Sequence, residues 1–76
     1  MSNQDVVRVG LLGCGSFASI IAAEITLCEK TKLVACYDPI DACSEKFTKL
    51  FGCEKAESAE AVIGRKDIEA VFVISP

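Results

Sequence analysis

The apolar positions of this chain form short continuous runs that alternate with stretches of helical spacing. Residues 6–12 and 33–37 are nearly continuous apolar runs with β-branched side chains, and residues 68–74 have the same character. Such runs are typical of parallel strands that are covered on both faces. Residues 53–56 are expected to form a shorter third strand in chain order. The pattern therefore predicts four strands.

The stretches between these strands are predicted to be helices. From residue 16 to about residue 28, apolar side chains recur at helical spacing. The expected buried face of this first helix consists of Phe17, Ile20, Ile21, Ile25 and Cys28. A second helix is expected between Pro39, which cannot continue a strand, and Gly52. Its expected buried face consists of Cys43, Phe47, Leu50 and Phe51. Ser58 is expected to cap a short third helix that ends at Gly64.

Strands that alternate with helices indicate right-handed βαβ units and hence a parallel sheet. We expect an α/β fold in which four strands take the spatial order 3-2-1-4, with helices on both faces. This arrangement is the first part of a doubly wound Rossmann sheet. The chain has 76 residues, which is enough for one small domain.

A glycine-rich turn joins the first strand to the first helix. Gly13 permits a tight turn, Gly15 lets the backbone approach a pyrophosphate, and Ala18 keeps the helix close to the strand. The free N–H groups of Ser16 and Phe17 would bind phosphate through hydrogen bonds and the helix dipole. Residues 1–76 are therefore expected to be the amino-terminal part of a dinucleotide-binding domain. A plain strand-to-helix turn is the alternative interpretation.

A carboxylate ends the second strand. Asp38 follows Gly15 by 23 residues, close to the roughly 20 expected for the acid that binds the adenosine ribose hydroxyls. Such a carboxylate repels a 2′-phosphate, and the next residue is Pro39 rather than an arginine that could bind one. The sequence therefore favours NAD over NADP. The alternative role for Asp38 is to cap the following helix, and the two roles are compatible.

Composition excludes several other classes of function. The net charge is −3 and Lys and Arg are scattered, so no basic face for nucleic acid is expected. The longest uncharged run, residues 9–23, is too short to span a membrane, and the polar first five residues do not resemble a signal peptide. The five cysteines show no Cys-x-x-Cys spacing, which indicates reduced thiols in the cytoplasm.

No residue is a candidate for proton transfer or nucleophilic catalysis. The chain has no histidine, and its carboxylates and lysines outside the glycine-turn region are expected on solvated surfaces. Cys14 lies between the two glycines, where a helix amino end can lower a thiol pKa. A redox role is one interpretation of Cys14, and a small filler side chain is the favoured one. We expect a chain that binds but does not catalyse.

Three stretches together resemble the amino-terminal domain of the glucose–fructose oxidoreductase/inositol dehydrogenase (Gfo/Idh/MocA) family. They are Val-Arg-Val-Gly-Leu-Leu-Gly-Cys-Gly-Ser-Phe-Ala, Leu-Val-Ala-Cys-Tyr-Asp and Asp-Ile-Glu-Ala-Val-Phe-Val-Ile-Ser-Pro. The resemblance implies NAD(P)-dependent oxidation or reduction of sugars, cyclitols and related hydroxyl compounds. The cofactor contacts it implies are Gly13, Gly15, Ser16, Phe17, Asp38, Ser75 and Pro76. Ser75 stands where that family usually has threonine.

The resemblance covers only the cofactor half of that family's pattern. The family's Glu-Lys-Pro motif, its Asp/His pair and its substrate domain have no counterpart in these 76 residues. One hypothesis is a truncated oxidoreductase that is inert alone, and the other is a stand-alone nucleotide-binding or sensor module. Without a fifth strand beside it, the last strand is expected to be an apolar edge that promotes self-association.

Overall fold

Four parallel strands form one sheet in the computed structural model, which describes residues 6–74. The strands are β1 (Val7–Leu12), β2 (Thr31–Tyr37), β3 (Glu54–Lys55) and β4 (Ala70–Val73). The helices between them are α1 (Ser16–Leu27), α2 (Asp41–Phe51) and α3 (Ala59–Ile63). The sheet order is β3-β2-β1-β4 and every neighbouring pair is parallel. The predicted α/β fold and strand order are confirmed.

The helices cover both faces of the sheet, as predicted. On one face, Val9 and Leu11 of β1 belong to a buried cluster with residues of α1 and α2. Gly10 lies between them and points to the opposite face, because side chains alternate along a strand. A Cβ atom on Gly10 would lie 2.5 Å from Cγ1 of Val62 in α3. The glycine therefore allows α3 to pack closely against β1.

A bulge in β2 sets which of its side chains enter the main core. The pairing opposes Leu33 to Val9 and Cys36 to Leu11, with one extra residue, Val34, accommodated where the register shifts. Side chains three positions apart normally point to opposite faces of a strand. The extra residue restores the alternation, so Leu33 and Cys36 both pack in the cluster that contains Val9 and Leu11.

The predicted buried face of α1 is wrong except at Ile25 and, in part, at Ile21. The helix packs on the sheet through Ala18 and Ala22, which are fully buried, together with Ile25. Small side chains let the helix axis approach the strands closely, so the larger apolar residues lie on the outer side. The predicted members that are exposed are Phe17, Ile20 and Cys28.

The predicted helix ends agree with the structure. Gly52 ends α2 with a left-handed φ of 73°, and the Ser58 hydroxyl accepts a 3.0 Å hydrogen bond from the Ala61 N–H at the start of α3. Gly64 ends α3. In α2, Phe47 is buried while Leu50 is exposed, so the predicted face of that helix is wrong at Leu50. The remaining two members, Cys43 and Phe51, pack partly against the core.

A charged network connects the loop between α3 and β4 with β1 and β3. Arg65 donates two hydrogen bonds of 2.9 Å to the Asp67 carboxylate and one of 3.0 Å to Glu54. The hydrogen bonds from Arg65 hold the pKa of Asp67 at about 2, below its usual range. Arg8 adds a hydrogen bond to the Asp67 carbonyl. Asp67 is thus a structural carboxylate rather than simply a solvated one.

Candidate dinucleotide-binding site

The glycine turn lies where the carboxyl ends of β1, β2 and β4 meet. Gly13 has a φ of 109°, a conformation that side-chain-bearing residues rarely adopt. Its N–H donates a 2.7 Å hydrogen bond to the Tyr37 carbonyl at the end of β2. A Cβ atom on Gly13 would overlap the carbonyl oxygen of Ile74, whose N–H donates to the Leu12 carbonyl. Only glycine fits between these two strand ends.

Gly15 opens the path to the amino end of α1. It is the N-cap residue, it is exposed, and a Cβ atom there would meet nothing within 4 Å. No side chain of the described residues caps α1, and no acidic residue lies in its first turn. The N–H groups of Ser16 and Phe17 have no intrahelical acceptor. This end of the helix can therefore receive an anionic group.

Asp38 links the end of β2 to the glycine turn. Its Oδ2 atom accepts a 2.8 Å hydrogen bond from the Cys14 N–H, and its Oδ1 atom accepts one of 2.8 Å from the Ile40 N–H. Ile40, not Asp38, is the N-cap residue of α2, so the capping alternative does not describe this contact. The bond to Ile40 closes a turn before the helix. Each carboxylate oxygen keeps a further lone pair for a ligand hydroxyl.

A cleft of about 580 Å³ joins these groups. Its polar part is formed by the glycine turn and the start of α1, and Asp38 lies at the end of β2. Pro39, Ile40 and Cys43 form an apolar wall beside Asp38, and Val73 and Ile74 line the cleft where β4 ends. The cleft thus offers amide donors for phosphate, a carboxylate for hydroxyl groups and an apolar surface for a flat ring.

Most predicted site residues converge on this cleft. Gly13, Gly15, Ser16, Phe17 and Asp38 all line it. Ser75 and Pro76 lie outside the described residues. The apolar wall beside Asp38 was not predicted, although Pro39 and Ile40 directly follow the predicted ribose-binding acid in the chain.

Cys14 anchors the turn from below. Its side chain is buried in the apolar cluster that also contains Cys36. Burial raises the pKa of the Cys14 thiol to about 11, which disfavours the reactive thiolate. The structure therefore favours the filler interpretation over a redox role. Within residues 6–74, no three metal-ligating side chains come together.

None of the helices that residues 6–74 form combines the length and the apolar character needed to cross a bilayer. The longest described helix, α1, has 12 residues.

Comparisons with known proteins agree with this geometry. The family model described as "Oxidoreductase family, NAD-binding Rossmann fold" (GFO_IDH_MocA) matches residues 7–76. The chain is 38% identical over 72 residues to a dTDP-3,4-didehydro-2,6-dideoxy-alpha-D-glucose 3-reductase of Saccharopolyspora spinosa, covering 92% of this chain and 21% of that protein. It is 33% identical over 70 residues to an inositol 2-dehydrogenase of Rhizobium meliloti (strain 1021), covering 92% of this chain and 21% of that protein.

A solved structure is similar over nearly the whole chain. It is the structure of a Desulfitobacterium hafniense protein whose description suggests an NADPH-dependent oxidoreductase. The TM-score is 0.89 at 36% identity, covering 96% of this chain and 21% of that one. The chain thus spans about a fifth of the length of these relatives. The family match over residues 7–76, on a sheet of matching order, shows that the chain belongs to the Gfo/Idh/MocA oxidoreductase family as its NAD(P)-binding Rossmann domain portion.

Proposed function

We propose that this chain supplies the adenosine-and-phosphate half of the cofactor site of an oxidoreductase that acts on sugars, cyclitols or related hydroxyl compounds. The observation that carries the proposal is the shared cleft. It brings the free amides of α1 and the Asp38 carboxylate to one opening between strand ends. Phosphate donors and a hydroxyl acceptor on one apolar-walled cleft match the chemistry of an adenine dinucleotide.

Each part of the cleft has a proposed role in holding the cofactor. The amides of Ser16 and Phe17 would donate to the pyrophosphate, which can approach because Gly15 carries no side chain. Asp38 would accept from the adenosine ribose, and Pro39 and Ile40 would pack against the adenine ring. Ser75 and Pro76 are proposed cofactor contacts because the family resemblance implies them. When bound, the nicotinamide ring would supply or accept the hydride.

We propose NAD rather than NADP as the preferred cofactor. The Asp38 carboxylate would repel a 2′-phosphate, and Pro39 offers neither an N–H nor a cation to bind one. The relative from D. hafniense is named for NADPH, so the fold alone does not decide between the two cofactors. The choice therefore rests on residues 38 and 39 of this chain.

Calorimetric titration is expected to give a dissociation constant for NAD at least about tenfold lower than for NADP. Asp38→Ala should weaken NAD binding and reduce this preference, because both the hydroxyl acceptor and the repulsive charge are lost. Asp41→Ala is the matched control, since Asp41 is an exposed acid on α2 that pairs with Lys55 at 3.1 Å. Unchanged NAD affinity in Asp38→Ala would show that Asp38 does not bind the ribose.

The second candidate function, a stand-alone nucleotide-binding or sensor module, rests on the same cleft. The described residues hold amide donors and a carboxylate for the adenosine half, but Val73 and Ile74 are the only described cleft residues at the end of β4. A dissociation constant for NAD in the low micromolar range would favour the stand-alone module, because half of a cofactor site should bind poorly. Weaker binding would favour the first candidate function, in which this chain is part of a larger oxidoreductase.

We also propose that, in this 76-residue chain by itself, β4 pairs with the same strand of a second copy. The two edge strands of the sheet differ, because β3 has two residues, Glu54 and Lys55, while β4 is the uncharged run Ala70–Val73. Charged, short edges resist pairing, and uncharged ones promote it. Phe72 and Val73 at this edge are exposed.

Sedimentation velocity at increasing concentration is expected to show reversible self-association, and Phe72→Lys is expected to reduce it. A lysine on an edge strand opposes pairing with a second strand. Leu27→Lys is the control, because Leu27 is an exposed apolar residue on α1, away from the strand edge. A monomer at every concentration, or an equal effect of both substitutions, would rule out association through β4.

A cytoplasmic location is proposed from the use made of cysteine. Cys14, Cys36 and Cys53 are buried as free thiols, and the Sγ atoms of Cys36 and Cys53 lie 3.7 Å apart. Free cysteines that fill a core are characteristic of reducing compartments.

A further inference from the structure

We infer that Asp38 is also a positioning residue for the phosphate-binding turn, so that the ribose-binding acid governs affinity for the phosphates as well. This inference rests on the proposed function. It starts from the 2.8 Å hydrogen bond between the Asp38 Oδ2 atom and the Cys14 N–H, which joins two positions 24 residues apart in the chain. A role in binding ribose alone does not account for this contact between Asp38 and the turn.

Three consecutive residues at the end of β2 hold the glycine turn. Cys36 lies in the same buried cluster as Cys14, and the Tyr37 carbonyl accepts the Gly13 N–H at 2.7 Å. Asp38 then accepts the Cys14 N–H. Burial with Cys36 holds the turn against the core. The bond to Tyr37 fixes Gly13, and the bond to Asp38 fixes the peptide between Gly13 and Cys14. Asp38 is the member of this set that also lines the cleft.

The bond determines which amides of the turn are left for a ligand. Since the Cys14 N–H is committed to Asp38, the peptide between Gly13 and Cys14 cannot rotate without leaving a partly buried donor unpaired. The amides that follow Gly15 are then held in one orientation at the start of α1. Loss of the carboxylate would free this peptide, and the amides would have to be ordered again when phosphate binds.

A second hydrogen bond fixes the position of the Asp38 side chain. Oδ1 accepts the Ile40 N–H at 2.8 Å, so the side chain spans the turn before α2 and the turn before α1. Asparagine has the same shape but only one acceptor oxygen. Asp38→Asn can therefore satisfy one of the two N–H groups and must present its NH₂ group to the other.

The sign of the effect on a phosphate ligand separates this role from simple charge. Removing a negative charge beside an anion site should strengthen phosphate binding by electrostatics alone. Loss of positioning should weaken it. A ligand without ribose hydroxyls removes the third contribution, the direct bond from Asp38 to the ribose.

The test measures binding of 2′,3′-dideoxyadenosine 5′-diphosphate to three proteins. They are the wild-type chain, Asp38→Asn and the control Asp41→Asn. We expect Asp38→Asn to bind the dideoxy diphosphate about fivefold to tenfold more weakly than the wild type. Asp41→Asn should bind it within about twofold of the wild type, because an exposed pair contributes little. Equal or tighter binding of the dideoxy diphosphate by Asp38→Asn would overturn the inference and leave a ribose-only role.

Amide hydrogen exchange tests the same inference without a ligand, and so separates its failure from failure of the proposed function. The Cys14 amide should be protected in the wild type and should exchange at least about tenfold faster in Asp38→Ala, which removes both acceptor oxygens. The Leu11 amide in β1 should be equally protected in both, which shows that the variant is folded. A Cys14 amide that exchanges freely in the wild type would overturn the inference, whatever the chain binds.

Discussion

Gly13→Ala is expected to lower the free energy of unfolding by about 3 kcal/mol or more. Two costs combine at this position. A φ of 109° is strained for any residue with a Cβ atom, and that atom would overlap the Ile74 carbonyl oxygen. Backbone atoms cannot yield as a flexible side chain can, so the end of β4 or the turn itself must move. Urea unfolding followed by circular dichroism measures the loss.

A chain of this size has a free energy of unfolding of roughly 4–11 kcal/mol, so this substitution removes a large part of it. Gly52→Ala is the matched control. Gly52 also has a positive φ, 73°, but a Cβ atom there would meet nothing within 4 Å. The control should therefore lose only the strain, about 1 kcal/mol. Equal losses in the two variants would contradict the overlap with Ile74 as a cause.

The strand order could be predicted because it depends on few choices. The apolar runs are too short for helices, and right-handed crossovers leave few ways to arrange four parallel strands. The bulge at Val34 could not be predicted in this way. It depends on how β2 pairs with β1, and the run 33–37 is apolar at every position, so alternation carries no information about its faces.

The buried face of α1 shows why helical spacing alone is insufficient. Ala18, Ala22 and Ile25 are spaced as well for one face as Phe17 and Ile20 are, but the larger side chains give the stronger hydrophobic signal. The structure buries the face with the small side chains. α1 packs closely on β2, and Ala18 and Ala22 are the fully buried residues of the helix there. Close packing was predicted for Ala18 but not for Ala22.

The sequence predicts that Asp38 and the glycine turn lie together, but not the apolar wall beside them or the hydrogen bonds between them. Spacing along the chain brings Asp38 to the glycine turn, because the carboxyl ends of neighbouring parallel strands meet at one edge. Spacing does not say that the carboxylate would already accept the Cys14 and Ile40 amides. Those bonds depend on side-chain direction at the end of β2, and they add a structural contact to the ribose-binding role proposed for Asp38.

Gly15→Val is expected to leave the fold intact and to abolish NAD binding, whereas Gly13→Ala is expected to destabilise the fold. Gly15 has a φ of −86°, which valine adopts readily, and a Cβ atom there meets nothing within 4 Å. The stability should change by less than about 1 kcal/mol, since Gly15 is an N-cap without a side-chain hydrogen bond.

The valine side chain would occupy the space through which a phosphate reaches the Ser16 and Phe17 amides. We therefore expect the dissociation constant for NAD to rise by about 100-fold, measured by calorimetry beside an unfolding curve for the same sample. Gly15→Ala should fall between wild type and Gly15→Val, because its single methyl group fills less of that space. Wild-type affinity in Gly15→Val would mean that the dinucleotide does not cross the glycine turn. Lost affinity together with lost stability would mean that Gly15 is needed for the fold. Only a stable variant that fails to bind supports a phosphate site over the open face of this glycine.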